Sequence, residues 1–193
     1  VLDTLYPTPE WREIYKLKDW QKRDQRLKDL YIKSLIEKAN VKYAWAFRVC
    51  MDEKYQTLYY LIHATNHFDG LKIMKDIMYR QSASPNFAYL GPKEAEYRNQ
   101  LMLFNDDIPS LKKYLMERLS EQSKTFREIL EETYMYTPFV ESHYKEALRQ
   151  LEQENKIKME EKGPRGGIYY TTKIFIPHKN PHNLSILPKQ VSK

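Results

Sequence analysis

The stretch Tyr43 to Arg80, YAWAFRVCMDEKYQTLYYLIHATNHFDGLKIMKDIMYR, decides how the rest of the chain is read. Its first part sets Tyr43, Trp45, Phe47 and Val49 on one side of a strand and Ala44, Ala46 and Cys50 on the other, with Arg48 as the polar exception. Its second part, Thr57 to Thr65, is apolar on both faces for most of its length. A half-solvated strand alternates apolar with polar residues, so two greasy faces place both strands inside a sheet covered by helices on each side. Asp52 to Gln56 is a polar connection of hairpin length, which makes the strands antiparallel neighbours. Asn66 is the expected N-cap of a helix whose Phe68, Leu71, Met74, Ile77 and Met78 recur at three- and four-residue steps.

Upstream, Glu10 opens a short amphipathic helix through Trp11, Ile14 and Tyr15. Arg23 to Ala39 reads as a longer one, with Leu27, Leu30, Tyr31, Ser34 and Leu35 in one stripe. Asn40 tolerates the left-handed conformation that helix ends need. Helix, strand, hairpin, strand, helix is the order of the last part of an open α/β sheet, where an antiparallel pair closes a mostly parallel layer. Downstream, Ser82 to Asp107 is a polar linker with Pro85, Gly91 and Pro92, holding one helical stretch from Lys93 to Leu103. Three helices follow, at Pro109 to Glu121, Phe126 to Thr133, and a third capped by Thr137 with Pro138 at its first position. In the third, Val140, Tyr144, Ala147, Leu148 and Leu151 make the buried stripe. Strands at Lys156 to Glu160 and Ile168 to Ile176 flank the glycine-rich EKGPRGG of residues 161–167. Three helices and a hairpin with a basic glycine tip form a winged helix. The predicted organisation is therefore α/β over 1–81, a linker over 82–107, an α+β winged helix over 108–177 and a disordered tail over 178–193.

At 193 residues, 41% hydrophobic and 30% charged, the chain has no run near the roughly eighteen apolar residues of a membrane span, so no membrane partner is expected. A single cysteine, Cys50, inside an apolar strand excludes disulfides and cysteine metal sites within one chain, which points to a reducing, cytoplasmic compartment. The chain opens on Val1 rather than Met, and the expectation is a piece of a longer polypeptide. The formal charge of +6 is not a basic run: residues 179–193 hold three lysines and no acid, and the rest is mixed-charge surface.

The exposed face of the third helix is expected to carry His143, Lys145, Arg149 and Gln150, with Lys162 and Arg165 at the wing tip. Arg and Gln hydrogen-bond base edges in a major groove, while wing cations reach phosphates or the minor groove, of DNA or RNA. The same face also fits an ordinary solvated helix or a protein-docking surface, because residues 137–178 balance seven basic against six acidic residues. Asn66 and His67 stand at a strand's C-terminal end, where α/β sheets place functional groups, and form a second candidate site. His63 and His67 are four apart but on different elements and lack a third ligand, so no metal is expected. No catalytic constellation stands out.

The residues TLYYLIHATNHFDGLKIMKDIM, preceded by PTPEWREIY and followed by TPFVESHYKEALRQLEQENKI, resemble the C-terminal half of the three-Cys-motif partner proteins, the TcmP family. The resemblance covers most of Val1 to Ile176, and YYLIHATNHFDGLKIMKDIM is its most specific part. It implies a Rossmann-like class I S-adenosylmethionine-dependent methyltransferase with a C-terminal extension, in which Tyr43 to Arg80 supplies the sheet's closing hairpin and next helix. It also implies a partner protein bearing three cysteines. The departure is in the cofactor half: Gly70, Gly91, Gly163, Gly166 and Gly167 include no strand-GxG-helix turn. S-adenosylmethionine is thus expected in the full-length protein and not on this chain alone. The leading reading is the substrate-recognition part of such a methyltransferase, acting on nucleic acid. The alternative is a non-catalytic winged-helix module that binds nucleic acid or protein and regulates. An exposed edge in a half sheet further predicts homo-oligomers.

Overall fold

The computed structural model describes residues 2–6, 8–50, 57–81, 88–89, 108–120 and 122–177. Two short helices, α1 (Leu2–Leu5) and α2 (Glu10–Tyr15), precede α3 (Trp20–Lys38). The last starts three residues before the predicted Arg23, because the Asp19 carboxylate accepts the N–H groups of Gln21 and Lys22 and so caps it. It ends at Lys38, and Asn40, just past the Ala39 cap, has the expected left-handed φ of 54°. Then come β1 (Tyr43–Cys50), β2 (Thr57–Thr65), α4 (Phe68–Gln81) and the two-residue β3 (Ala88–Tyr89). β1 and β2 are the predicted antiparallel pair, with Trp45 opposite His63 and Phe47 opposite Leu61. β3, which the sequence reading places within a linker, runs parallel to β1 on its other side. The helical stretch expected at 93–103 and the tail at 178–193 lie outside the described residues.

The two strands differ in cover. β1 is enclosed: Ala44 and Cys50 are buried on one face and Phe47 on the other. α4 packs Met74 and Met78 on the Phe47 face, together with Val140. On the opposite face the Tyr60 hydroxyl donates to Asp24 of α3, and burial and that carboxylate push its pKa up to about 12. β2 corrects the expectation of two covered faces. It is the end of the sheet order β2-β1-β3, and Leu58, Tyr59 and Leu61 are all exposed.

The winged-helix part is α5 (Ile108–Met116), β4 (Lys124–Thr125), α6 (Phe126–Thr133), a 3₁₀ turn at Tyr134–Tyr136, α7 (Glu141–Gln153), β5 (Lys158–Glu160) and β6 (Lys173–Phe175). β4, β6 and β5 form an antiparallel sheet in that order. The expected first helix stops five residues early. The expected strand from Ile168 shrinks to three residues because Ile168 to Thr172 is spent on a turn, in which Thr172 N–H returns to Tyr169 O. With the hairpin and helices of the first part, the architecture is α+β.

One core joins both parts. Phe68 and Leu71 of α4 pack with Leu111, Leu115, Phe126, Leu130, Tyr144, Leu148 and Ile174. Lys75 of α4 is fully buried with them; its ammonium donates to the carbonyls of Tyr134 and Thr137 and lies 4.1 Å from the ring centres of both Trp45 and Tyr134. Burial pushes its pKa well below the usual lysine value, against the nearby Asp76 carboxylate. Among the described residues no helix is long and apolar enough to cross a membrane.

Candidate nucleic-acid interface

The helix that a winged fold offers to a groove is α7, and its sequence favours it locally: residues 141–153 hold no β-branched residue, glycine or proline. Its predicted start at Pro138 moves to Glu141, since Phe139 and Val140 are drawn extended into the core. The exit is a Schellman turn. Lys156 N–H bonds Leu151 O, Asn155 N–H bonds Glu152 O, and Asn155 has φ 56°. Tyr144, Ala147, Leu148 and Leu151 are buried, which leaves Ser142, Glu146, Arg149 and Gln153 as the solvent stripe at four-, three- and four-residue steps.

His143 is a correction to the sequence reading. It is 6% exposed, not on the outer face. Its Nδ1 accepts the Val140 N–H at 3.1 Å, so the neutral ring carries its proton on Nε2, which faces the Tyr79 hydroxyl at 3.1 Å. The ring caps α7 and ties it to α4. Glu141 adds a second tie. Its carboxylate takes Lys72 of α4 at 2.7 Å, Lys145 at 2.6 Å and the Tyr170 hydroxyl at 2.9 Å. Burial pushes its pKa up, but these three donors outweigh it and hold it at about 2. Lys72 also reaches Tyr170, and its pKa is raised despite burial.

Lys145 is thus half-buried and engaged beside Phe126, not free on the face. Arg149 is exposed, 3.9 Å from Glu146, and Gln150 donates to the same Glu146. Lys162 spans both oxygens of Glu152 at 2.9 and 3.0 Å, pinning the wing to the end of α7. The wing itself is a tight turn: Gly163 N–H bonds Gly167 O at 2.8 Å, with Arg165 at φ 58° and Gly166 at φ 74°. Tyr169 lies on the turn so closely that a Cβ at Gly163 would sit 1.5 Å from its ring. Arg165 is therefore presented, exposed, by a packed tip.

Lys162 joins the wing to the end of α7 through Glu152, Arg149 stays on the outer face beside Glu146, and Gln150 turns toward Lys112 of α5, while Asn66 and His67 join none of them. The Asn66 side-chain oxygen accepts Lys42 N–H at 2.9 Å, and His67, not Asn66, precedes α4, its carbonyl accepting Leu71 N–H. Both close a turn at the far end of the β1–β2 pair. His63 and His67 hold no metal-type cluster, and none of three or more His, Cys, Asp or Glu occurs among the described residues. A separate cleft of about 860 Å³ opens between α3, the inner face of β1 and Tyr136, lined by the acids Asp24, Asp29 and Glu37 and the bases Lys28, Lys33, Lys42 and Arg48.

Sequence reasoning missed the Lys72–Glu141–Tyr170 cluster, whose members are 29 to 98 residues apart. It also missed Lys75, although that residue falls in the Phe68, Leu71, Met78 row and its helical phase could have exposed it. No curated protein and no solved structure matches the chain. Residues 91–164 match the family described as the GMT-like wHTH domain, in agreement with the helices, strands and wing found here: the chain contains a winged-helix domain.

Proposed function

We propose that this chain is a winged-helix recognition module that sets α7 and its wing against nucleic acid, attached to the remnant layer of a methyltransferase-like protein. The observation that carries the reading is the outward row Ser142, Glu146, Arg149 and Gln153 on a helix whose end Lys162 ties, through Glu152, to the packed tip that presents Arg165. Most cations nearby are paired with carboxylates: Lys145 with Glu141, Arg149 with Glu146, Lys156 with Glu154, and Lys162 with Glu152. The exposed pairs Arg149–Glu146 and Lys156–Glu154 are worth at most about 1 kcal/mol, so they open readily toward phosphates, while Lys145 stays engaged with the buried Glu141. Few counterions are released, and binding should depend on salt with a log-log slope of only about −2 to −3.

The test is fluorescence anisotropy with duplex DNA, duplex RNA and single strands across salt, for the native chain and Arg149→Glu with Arg165→Glu. At least tenfold weaker binding by the double variant is expected. Affinity that ignores both reversals refutes the docking geometry. The same charge pairing favours a second reading, docking of a protein through this face; it takes over where no nucleic acid binds.

The methyltransferase attachment rests on the antiparallel hairpin, the helix after it and the resemblance of that stretch. S-adenosylmethionine needs a glycine-rich turn after a strand. The described residues do not fit it: the turn after β2 is Asn66–His67, and at Gly70 a Cβ would meet Thr65 Oγ1 at 3.0 Å, which leaves packed contact and no cradle. Calorimetry of this chain with S-adenosylmethionine is expected to give no heat, and micromolar binding would overturn that assignment. A cytoplasmic setting and a three-cysteine partner protein belong to the same proposal.

A further inference from the structure

The outer edge of β2 is apolar well beyond what an isolated edge tolerates. Leu58, Tyr59 and Leu61 are 54%, 58% and 52% exposed, and Ile73 and Ile77 of α4 are 57% and 48% exposed. Tyr59 and Leu61 lie opposite Val49 and Phe47, on the face that α4 covers. Gly70 rests on the Thr65 side chain of that same face, and Ile73 and Ile77 follow it along one side of the helix. Strand edge and helix flank therefore form one shelf. Natural edges are guarded by lysine, proline, a bulge or an inward charge. TLYYLIHAT, residues 57–65, has no charged residue and no proline, and the one register irregularity is at its start, opposite Val49 and Cys50. Among the described residues no strand pairs with β2 on that side.

We infer that this edge is a homodimer interface, in which β2 of one copy pairs antiparallel with β2 of a second about a two-fold axis at Leu61. Two observations select a second copy as the occupant. The strand is self-complementary: this register sets Thr57 opposite Thr65, Leu58 opposite Ala64, Tyr59 opposite His63 and Leu61 opposite itself, so no charge meets a charge, as an isologous contact requires. A charged partner strand would find no counter-charge on these nine residues. The area also suffices. Tyr59, Leu61, Ile73 and Ile77, each about half exposed, offer on the order of 400 Å² per copy, so the pair offers roughly 800 Å² of side chain and the main chain of the two joined strands brings it to the roughly 1,000 Å² that marks a specific interface.

The inference is independent of nucleic acid, and its test uses the chain alone. Light scattering on the eluting protein over a concentration series should give twice the 23.4 kDa of one chain. Leu61→Lys puts two ammonium groups face to face at the axis, and the dimer should weaken at least thirtyfold, as for a central anchor residue. Leu61 is half in water in the monomer, so the far-ultraviolet spectrum should not change. Ile77→Glu, on the helix flank, should weaken the dimer without touching the strand. Hydrogen exchange over 57–65 should be slower in the native dimer than in Leu61→Lys. A native chain that stays monomeric throughout, or a dimer indifferent to both substitutions, overturns the proposal.

Discussion

Replacing Glu141 by Gln removes one negative charge from the junction between α4 and α7 while keeping the side chain's size. The carboxylate is 17% exposed and takes Lys72, Lys145 and Tyr170. Its fall from the ordinary 4.5 to about 2 amounts to roughly 3 kcal/mol of preference for the charged form. The raised pKa of Lys72 describes the same bond from its other end and adds nothing further. A carboxyl depressed in the fold binds a proton more readily in the unfolded chain, so its stabilisation is full above 4.5 and drains as pH falls toward 2. About 2 of the 3 kcal/mol are gone by pH 3. Urea titrations of the native chain and Glu141→Gln, followed by far-ultraviolet circular dichroism, should differ by about 3 kcal/mol at pH 7 and about 1 kcal/mol at pH 3. A gap that does not change with pH, or one under about 0.5 kcal/mol at pH 7, means solvent screens the cluster and refutes the reasoning.

Three further substitutions probe the frame around the interface. Thr125→Ala breaks the reciprocal cap of α6, in which Thr125 and Glu128 each hold the other's N–H; a loss of about 1 kcal/mol in the same titration is expected. His143→Ala removes the Val140 cap and the Tyr79 contact together, and about 2 kcal/mol of stability should go, whereas a surface histidine would leave the midpoint in place. Gly163→Ala forces the Tyr169 ring off the wing; nucleic-acid affinity should fall with little change in the denaturation midpoint, and the Tyr169→Ala change added to it should restore the turn by making room.

Periodicity carried the sequence reading where one chemical pattern has one outcome. The β1–β2 hairpin, the amphipathic α4 and a leucine-striped α7 are visible because apolar spacing and turn residues agree there. It faltered where long-range partners decide. β2 reads as greasy on both faces, yet nothing in TLYYLIHAT tells whether a neighbour covers it. His143 reads as surface because a histidine among charged residues usually is, and only the spatial nearness of Tyr79, 64 residues upstream, draws it inward. Thr137 and Pro138 look like a helix start, but burial of Phe139 and Val140 delays it to Glu141. The wing cation Lys162 was legible as a residue, while its pairing with Glu152 was not, because this acid and base meet only after the turn folds.

The buried lysine gives the molecule a particular cooperativity. Lys75 belongs by sequence to the hairpin-helix part, yet its donors serve the carbonyls of Tyr134 and Thr137, which belong to the winged helix. A chain severed between residues 82 and 107 would leave those two oxygens in the core without their ammonium, and Leu111 and Leu115 without Phe68 and Leu71. The boundary expected from the sequence is thus a seam in the covalent chain and not in the free-energy surface. Calorimetry should show a single melting peak, and the winged half produced by itself should behave as a loose, dye-binding globule.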